Sequence, residues 1–514
     1  MKAMKTNLVL AFVLFILGTF YYWYEYQKKP AEEKTEETKK KVFMVDQNAE
    51  IDSIQVKFKD KEKSYDIDFS CKENCRMSAT NGKWFITNPI KFSADDANIG
   101  SLLSSFGTLT VTESVPIEGD LEANLAKVGL SKDKREQSHV TMKYKTQTVS
   151  LYLGDDAAVD GSVYAYVEAQ GLANDRVSMI PSYVKGYLTR TLSYWRNKKI
   201  FNFAASQIEK ITLVNQNLAV QTELTKEGTD WFLPYKIPAD NEVVDTFTTG
   251  IAFLNAKEFV SDNKSKDRTK FKFSSKAKYR LHLKVGASKT DSSQGPQNVT
   301  LDVYEGSAPT VANEKTSENA PTLLFGILAD KDFIVELDKP STDKFGKKPS
   351  EFKYKHLIYE SDKKSIRRMK ITFPKASTVT ELKADEAENW TYFSGNTVEK
   401  LETAQVTELI KKINGVKISE FLPMDKIPSG YAEESVWEIR DAKGKSLRSF
   451  SIYKSEKSAG SDIYLKSTDR LFGGEIAKTE KLTISGLPSK PENIIKKKEI
   501  PVVKEEKTAT PGHQ

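Results

Sequence analysis

Histidine and cysteine are almost missing from this sequence, which carries four histidines and two cysteines in 514 residues. His139, His282, His356 and His513 stand far apart, so histidine chemistry and histidine-based metal binding have no spaced motif to start from. There is no HExxH, nucleophile-elbow GxSxG, Walker loop or GxGxxG either. A carboxylate pair has no spacing of its own among 71 Asp and Glu. The expectation is therefore a protein that is not an enzyme, with no catalytic, cofactor-binding or metal residues and no cofactor. No basic face or helix stands out: the formal charge of +7 is spread over the chain, with lysine mostly alternating with acidic residues, which argues against a nucleic-acid partner. Long apolar runs are absent beyond the start, and a mean hydropathy of −0.51 with 29% charged residues excludes a polytopic membrane protein.

The one apolar run is Leu8 to Tyr24, LVLAFVLFILGTFYYWY, with Lys2 and Lys5 before it. As a helix it covers roughly 26 Å, slightly less than the ~30 Å hydrocarbon core, and Tyr21, Tyr22, Trp23 and Tyr24 suit the membrane interface. Bulky aromatics, then Glu25, Tyr26 and Gln27, follow where a cleavage site would need small residues, so the run reads as an uncleaved signal anchor. The short leader stays in the cytoplasm and the bulk of the chain crosses, which places it in the periplasm on a bacterial inner membrane. The cysteines agree with that compartment. Cys71 and Cys75, in SCKENC between the strand-like YDIDF and KWFIT, read as a disulfide at a hairpin tip, with free thiols as the alternative.

Internal repetition carries most of the architecture. Three tryptophans head three matching stretches, NGKWFITNPIKFSADD from Asn81, GTDWFLPYKIPADN from Gly228 and AENWTYFSGNTVEKLE from Ala387. A helical stripe follows in each: Ile99, Leu102 and Phe106; Val244, Phe247, Ile251 and Leu254; Val406, Leu409 or Ile410, and Ile413. Ser93, Asp240 and Thr403 are the expected N-caps, and Asn414-Gly415 the third stop. Strands ending at Val115, Val260 and Leu422 come next. Upstream, Ile51-x-x-Ile54-x-Val56, Ile208-x-x-Ile211-x-Leu213 and Ile366-x-x-Met369-x-Ile371 recur at nearly equal intervals, each behind a basic-then-aromatic run (KKKVFMV, NKKIFNF, YKHLIYE) that marks a joint.

The fold class expected is α+β: an N-terminal transmembrane helix followed by three tandem, mainly antiparallel β domains with one principal helix each. Its boundaries are a leader and anchor at 1–27, a charged stalk at 28–45, repeat domains at 46–203, 204–362 and 363–488, and a disordered tail at 489–514. Trp84, Trp231 and Trp390 read as core residues, although a ligand-stacking role stays open. Glu113, Glu258 and Glu420 fall at matching points on the post-helix strand and read as solvated. Ala94-Asp95 and Pro238-Ala239-Asp240 most simply turn the chain and cap the helix.

Several of these features occur together: the Lys-flanked anchor, W-F-x-x-x-P with a downstream A-D, L-Y-L-G followed by S-V-Y-A-Y-V, and the closing Y-W-R-N-K-K-I-F. In this the chain resembles the bacterial domain of unknown function 4340 family. The third unit lacks the proline and the Ala-Asp. The resemblance implies a membrane-anchored envelope protein of the kind often encoded beside gliding-motility-type ABC transporters. The expected function is thus a non-enzymatic accessory or scaffold subunit of an ABC-type transport system, with the inner membrane and a permease as partners. The alternative is an envelope glycan- or peptide-binding module. The resemblance transfers no site residues.

Overall fold

The computed structural model describes residues 41–494 apart from 43–45, 47, 62, 80, 146, 159–160, 170–175, 289–294, 308–321, 424–426, 456–461, 468–474, 480–483 and 485, together with Thr19, Tyr21 and Tyr22. Two compact units divide the chain, 1–198 with one sheet and 199–514 with two.

In the first unit the elements run β1 (Ile51–Lys59), β2 (Ser64–Glu73), β3 (Lys83–Asn88), β4 (Phe92–Ser93), α1 (Asp96–Gly107), β5 (Glu113–Pro116), α2 (Leu121–Lys127), α3 (Lys132–Gln137), β6 (Ser138–Tyr144), β7 (Thr148–Asp156), β8 (Ser162–Ala169) and β9 (Arg176–Pro181). They form one antiparallel sheet in the order β4-β3-β2-β1-β6-β7-β8-β9-β5. The chain meanders outward from β1 to β4, crosses the face as α1 to lay down β5 at the opposite edge, and returns to β6 beside β1.

The second unit repeats this plan twice. Its first sheet holds β10 (Ile208–Asn215), β11 (Val220–Glu227), β12 (Asp230–Leu233), β13 (Ile237–Pro238), helix α4 (Asn241–Ala252), β14 (Glu258–Ser261), helix α5 (Lys264–Asp267), β15 (Tyr279–Val285), β16 (Gln297–Gly306), β17 (Leu323–Leu328) and β18 (Ile334–Leu337). Its other sheet holds β19 (Ile366–Phe373), β20 (Thr378–Ala384), β21 (Trp390–Ser394), β22 (Thr397–Leu401), helix α6 (Thr403–Asn414), β23 (Ile418–Leu422), β24 (Tyr431–Asp441), β25 (Ser446–Ser455), β26 (Ile463–Ser467) and β27 (Ile476–Thr479). The strand order is the same in both.

The recurring I-x-x-I-x-V motif has a backbone cause. Strict alternation would send Ile51 and Ile54 to opposite faces, yet both are buried. The pairing of β1 with β6 slips between Ile51 and Ser53, and the same slip falls between Ile208 and Lys210 and between Ile366 and Arg368. A bulge at one place in every central strand turns both apolar residues inward.

The helical stripes pack on these strands. Ile99, Leu102, Leu103 and Phe106 join Ile54, Val56, Trp84 and Ile86 in the first core. Val244, Phe247 and Ile251 join Ile211, Leu213 and Trp231 in the second, and Val406, Leu409 and Ile413 join Met369, Ile371 and Trp390 in the third. Of the two third-stripe candidates, Leu409 is buried and Ile410 only partly so.

Several expectations need correction. The first N-cap is Asp95, whose carboxylate accepts from the N–H groups of Ala97 and Asn98 at 3.1 and 3.0 Å; Ser93 lies in β4 instead. Asp240 caps α4 as expected, accepting from Glu242 and Val243. Glu402, and not Thr403, precedes α6. Each sheet carries one 12-residue helix, α1, α4 or α6, and in the first unit the short α2 and α3 also cover the opposite sheet face over a small core of Leu125, Leu130, Tyr166 and Val177. Residues 489–494, expected in the tail, are held by the third unit: Ile494 packs on its core and the Tyr392 hydroxyl donates to the Pro491 carbonyl. The stalk at 28–40, the tail beyond 494, His513 and most of the anchor, Trp23 and Tyr24 included, lie outside the described residues. Among the described residues no helix is long and apolar enough to cross a membrane.

Candidate functional site

The joints are where the repeats do something beyond making a core. The second and third are straps that leave a short helix, Leu192–Trp195 or Pro349–Phe352, and are bound at two places in turn. In the first unit the Trp195 carbonyl accepts from Asp95 N–H at 2.8 Å, and Asn197 N–H donates to the Ser93 carbonyl at 2.9 Å, so the strap runs along β4. The second unit repeats this with Phe352 accepting from Asp240 N–H at 2.8 Å and Tyr354 donating to the Pro238 carbonyl at 3.1 Å. Further along, a strap docks on the stretch after a helix: Val42 N–H donates to Leu109, Ile200 N–H to Leu254, and Lys355 accepts from Ile418 N–H.

Two straps bury a cation on an aromatic ring, Arg196 on Phe92 of the edge it covers and Lys353 on Phe421 of β23. Arg196 is 2% exposed, with its guanidinium carbon 4.3 Å above the Phe92 ring. Lys353 is 5% exposed; it pairs with Glu475 and lies 4.8 Å from the Phe421 ring centre. Burying a cation is costly unless charge or a π face compensates, so these contacts fix the register of the strap. Arg448 adds a third anchor, 3.2 Å from Asp362 and stacked on Tyr359. Burial pushes the Tyr354 hydroxyl up to about 12, and it donates to the Ile358 carbonyl.

The third sheet departs from this plan. Glu402 N–H, the counterpart of the strap-bound Asp95 and Asp240 N–H groups, donates to the Gln405 side chain at 3.0 Å. The chain leaving this sheet runs to Tyr392 and β20 instead of along β22. The opposite sheet faces differ as well. Arg135 stacks over Tyr152 and Tyr166, and Arg268 stacks over Tyr304 and donates to its hydroxyl, so a short helix covers part of each of the first two sheets. Between β23 and β24 the described residues hold no such helix.

Residues singled out by sequence fall as follows. Cys71 and Cys75 are joined in a disulfide, Cys71 at the end of β2 and Cys75 in the first core. Trp84, Trp231 and Trp390 are buried, which removes them as stacking platforms for a ligand. Glu113 and Glu420 are exposed on β5 and β23, and Glu258 is half-buried on β14, each at the margin of its own sheet. Tyr21 and Tyr22 are exposed.

The histidines are used locally. His139 Nδ1 lies 2.8 Å from the Arg135 carbonyl, His282 Nδ1 2.7 Å from the Thr300 hydroxyl, and His356 Nδ1 2.9 Å from the Asn414 carbonyl. Among the described residues no three His, Cys, Asp or Glu come together as a metal site would require. A half-open cavity of about 770 Å³ at the end of the second sheet is lined by Gln207, Glu209, Lys210, Lys226 and Lys284. Its charges are already engaged, Lys284 with Glu209, Lys210 with Glu223 and Lys226 over Trp231.

The strap cations and the Arg135 and Arg268 stacks leave only a weak trace in the sequence. W-R-N and F-K-Y, each an aromatic followed by a cation just before a joint, were the available signal.

Three antiparallel sheets of one topology, strung on straps that bind a strand edge and then a post-helix stretch, define a tandem β-repeat protein. The chain belongs to the family described as Domain of unknown function (DUF4340), whose model matches residues 84–269 and again 231–434. Both matches open on a repeat tryptophan, Trp84 and Trp231, and run through a strap into the next helix, so the strap lies inside the family's own unit. No curated protein and no solved structure matches the chain.

Proposed function

We propose that this is a non-enzymatic envelope protein, held by its N-terminal apolar run in a bacterial inner membrane with its three β units in the periplasm. There it serves as an accessory or scaffold subunit of an ABC-type transport system. The observation that carries the scaffold reading is the strap. A unit that binds an extended segment along its β4-type edge already has the means to hold another polypeptide, because main-chain pairing supplies affinity without a cleft. The apolar run and its interfacial aromatics support the anchor, and the family resemblance supports the transporter setting. In vivo crosslinking from the third sheet, followed by identification of the captured proteins, tests it. A permease or another inner-membrane protein is the expected partner, and repeated recovery of none would sink the scaffold reading. An alkaline-phosphatase fusion after residue 488 should be active; a stable but inactive fusion would overturn the orientation.

A further inference from the structure

We infer that β22 is a docking edge for an extended segment of a partner protein, one that alternates apolar and cationic side chains. Residues placed by the repeat show what is left open. Ile86 and Tyr392 both stand two positions after their tryptophan and pair with Phe92 and Glu399, so Ser93 and Pro238 correspond to Lys400. In the first two sheets the carbonyls of Ser93 and Pro238 and the N–H groups of Asp95 and Asp240 point away from the sheet and receive the strap. On β22 the same alternation turns the N–H and C=O of Val398 and Lys400 outward. Among the described residues nothing pairs with them, while Glu402 N–H is already satisfied by Gln405.

The side chains around that edge specify the occupant. Val398 is 63% exposed and sits beside Phe393, 38% exposed, on the outward face. An apolar side chain on the added strand would cover this pair. On the other face, Glu399 stands where Phe92 lies under the Arg196 guanidinium. A cation arriving in strap register therefore meets a carboxylate in place of a ring. Apolar on one face and cationic on the other is also the pattern of the Trp195-Arg196 and Phe352-Lys353 straps. Glu399 and Lys400 give the edge the charge that keeps it from pairing indiscriminately.

This assignment rests on the scaffold reading, yet it can fail alone. The probe is a fluorescent synthetic peptide copying Ser193–Lys199, titrated onto the purified full chain. Saturable binding is expected. Val398→Pro removes one outward N–H without touching the pairs to β21 and should weaken binding by about tenfold or more. Glu399→Lys, which leaves the backbone intact, should weaken it too and covers the case in which the proline variant misfolds. Undiminished binding to both variants overturns the proposal. So does slow amide exchange at Val398 and Lys400 in the free chain, because the edge would then already hold the chain's own tail or a second copy. If crosslinking still captures a membrane protein at full yield with Val398→Pro, the scaffold reading stands and the edge does not.

Discussion

Gly100→Ala and Gly154→Ala make one chemical change at two places in the first unit and should move its stability in opposite directions. Gly100 lies in the middle of α1, and nothing stands within 4 Å of the position an added Cβ would take. Alanine there removes the helix penalty of glycine and should stabilise by about 1 kcal/mol. Gly154, the glycine of L-Y-L-G, lies in β7 against the connection between α2 and α3. A Cβ would stand 2.3 Å from the Val128 carbonyl oxygen and 2.9 Å from Leu130 Cγ. The carbonyl cannot swing aside freely, because Asp155 N–H donates to it at 3.0 Å. Alanine must push the connection off the sheet, losing that hydrogen bond, about 1 kcal/mol, and loosening Leu125 and Leu130 against Tyr166 and Val177 for about 1–3 more. The expected cost is ~2–4 kcal/mol. Urea unfolding with amide exchange resolved to residues 121–137 measures it. A Gly154→Ala protein within about 0.5 kcal/mol of its parent would refute the contact on which this rests.

Two further predictions concern caps and protons. Asp240→Ala should cost about 1 kcal/mol through the lost side-chain cap, while Asp240→Asn should be nearly neutral in the same thermal melts. Phe352 should stay bound in both variants, because it takes the backbone N–H of residue 240. His139 has its pKa lowered, chiefly by burial, so the fold favours the neutral ring. Its unfolded value is near 6.5, so the unfolded chain binds the extra proton first as pH falls. The first unit should therefore keep this contribution above pH ~6.5 and lose it progressively below, toward the depressed folded value. His139→Gln should flatten that slope in urea midpoints compared at pH 7.5 and 5, and an unchanged slope would contradict the burial argument.

The repeat was legible because it is written in side chains that must be apolar. Trp84, Trp231 and Trp390 and the three helical stripes face cores, and a core tolerates few substitutes at a fixed place. The caps were half legible. Asp240 is legible as a cap, whereas the first helix offers both Ser93 and Asp95, good caps that only backbone conformation separates. Helices α2 and α3 are hard to read in the sequence because LEANLAK and KDKREQ are short and mostly polar. They are held by one small apolar patch and by Arg135 stacked on two tyrosines that come from distant strands. The straps are legible as joints, but their double pairing is not, because backbone hydrogen bonds leave no residue signature.

The departures of the third unit fit together once the strap is taken as the repeating element. In the first two sheets the exit segment returns to its own β4-type edge, and in the third it does not. Its helix N–H is satisfied from within by Gln405, and its outgoing chain is diverted to Tyr392. An edge meant to stay unpaired is blunted by shortening, and β4 and β13 are only two residues long even under their straps. Instead β22 extends to five residues with Val398 and Phe393 exposed beside it. A longer, apolar-flanked edge at the position where two preceding copies bind an extended segment is best explained by an occupant of its own.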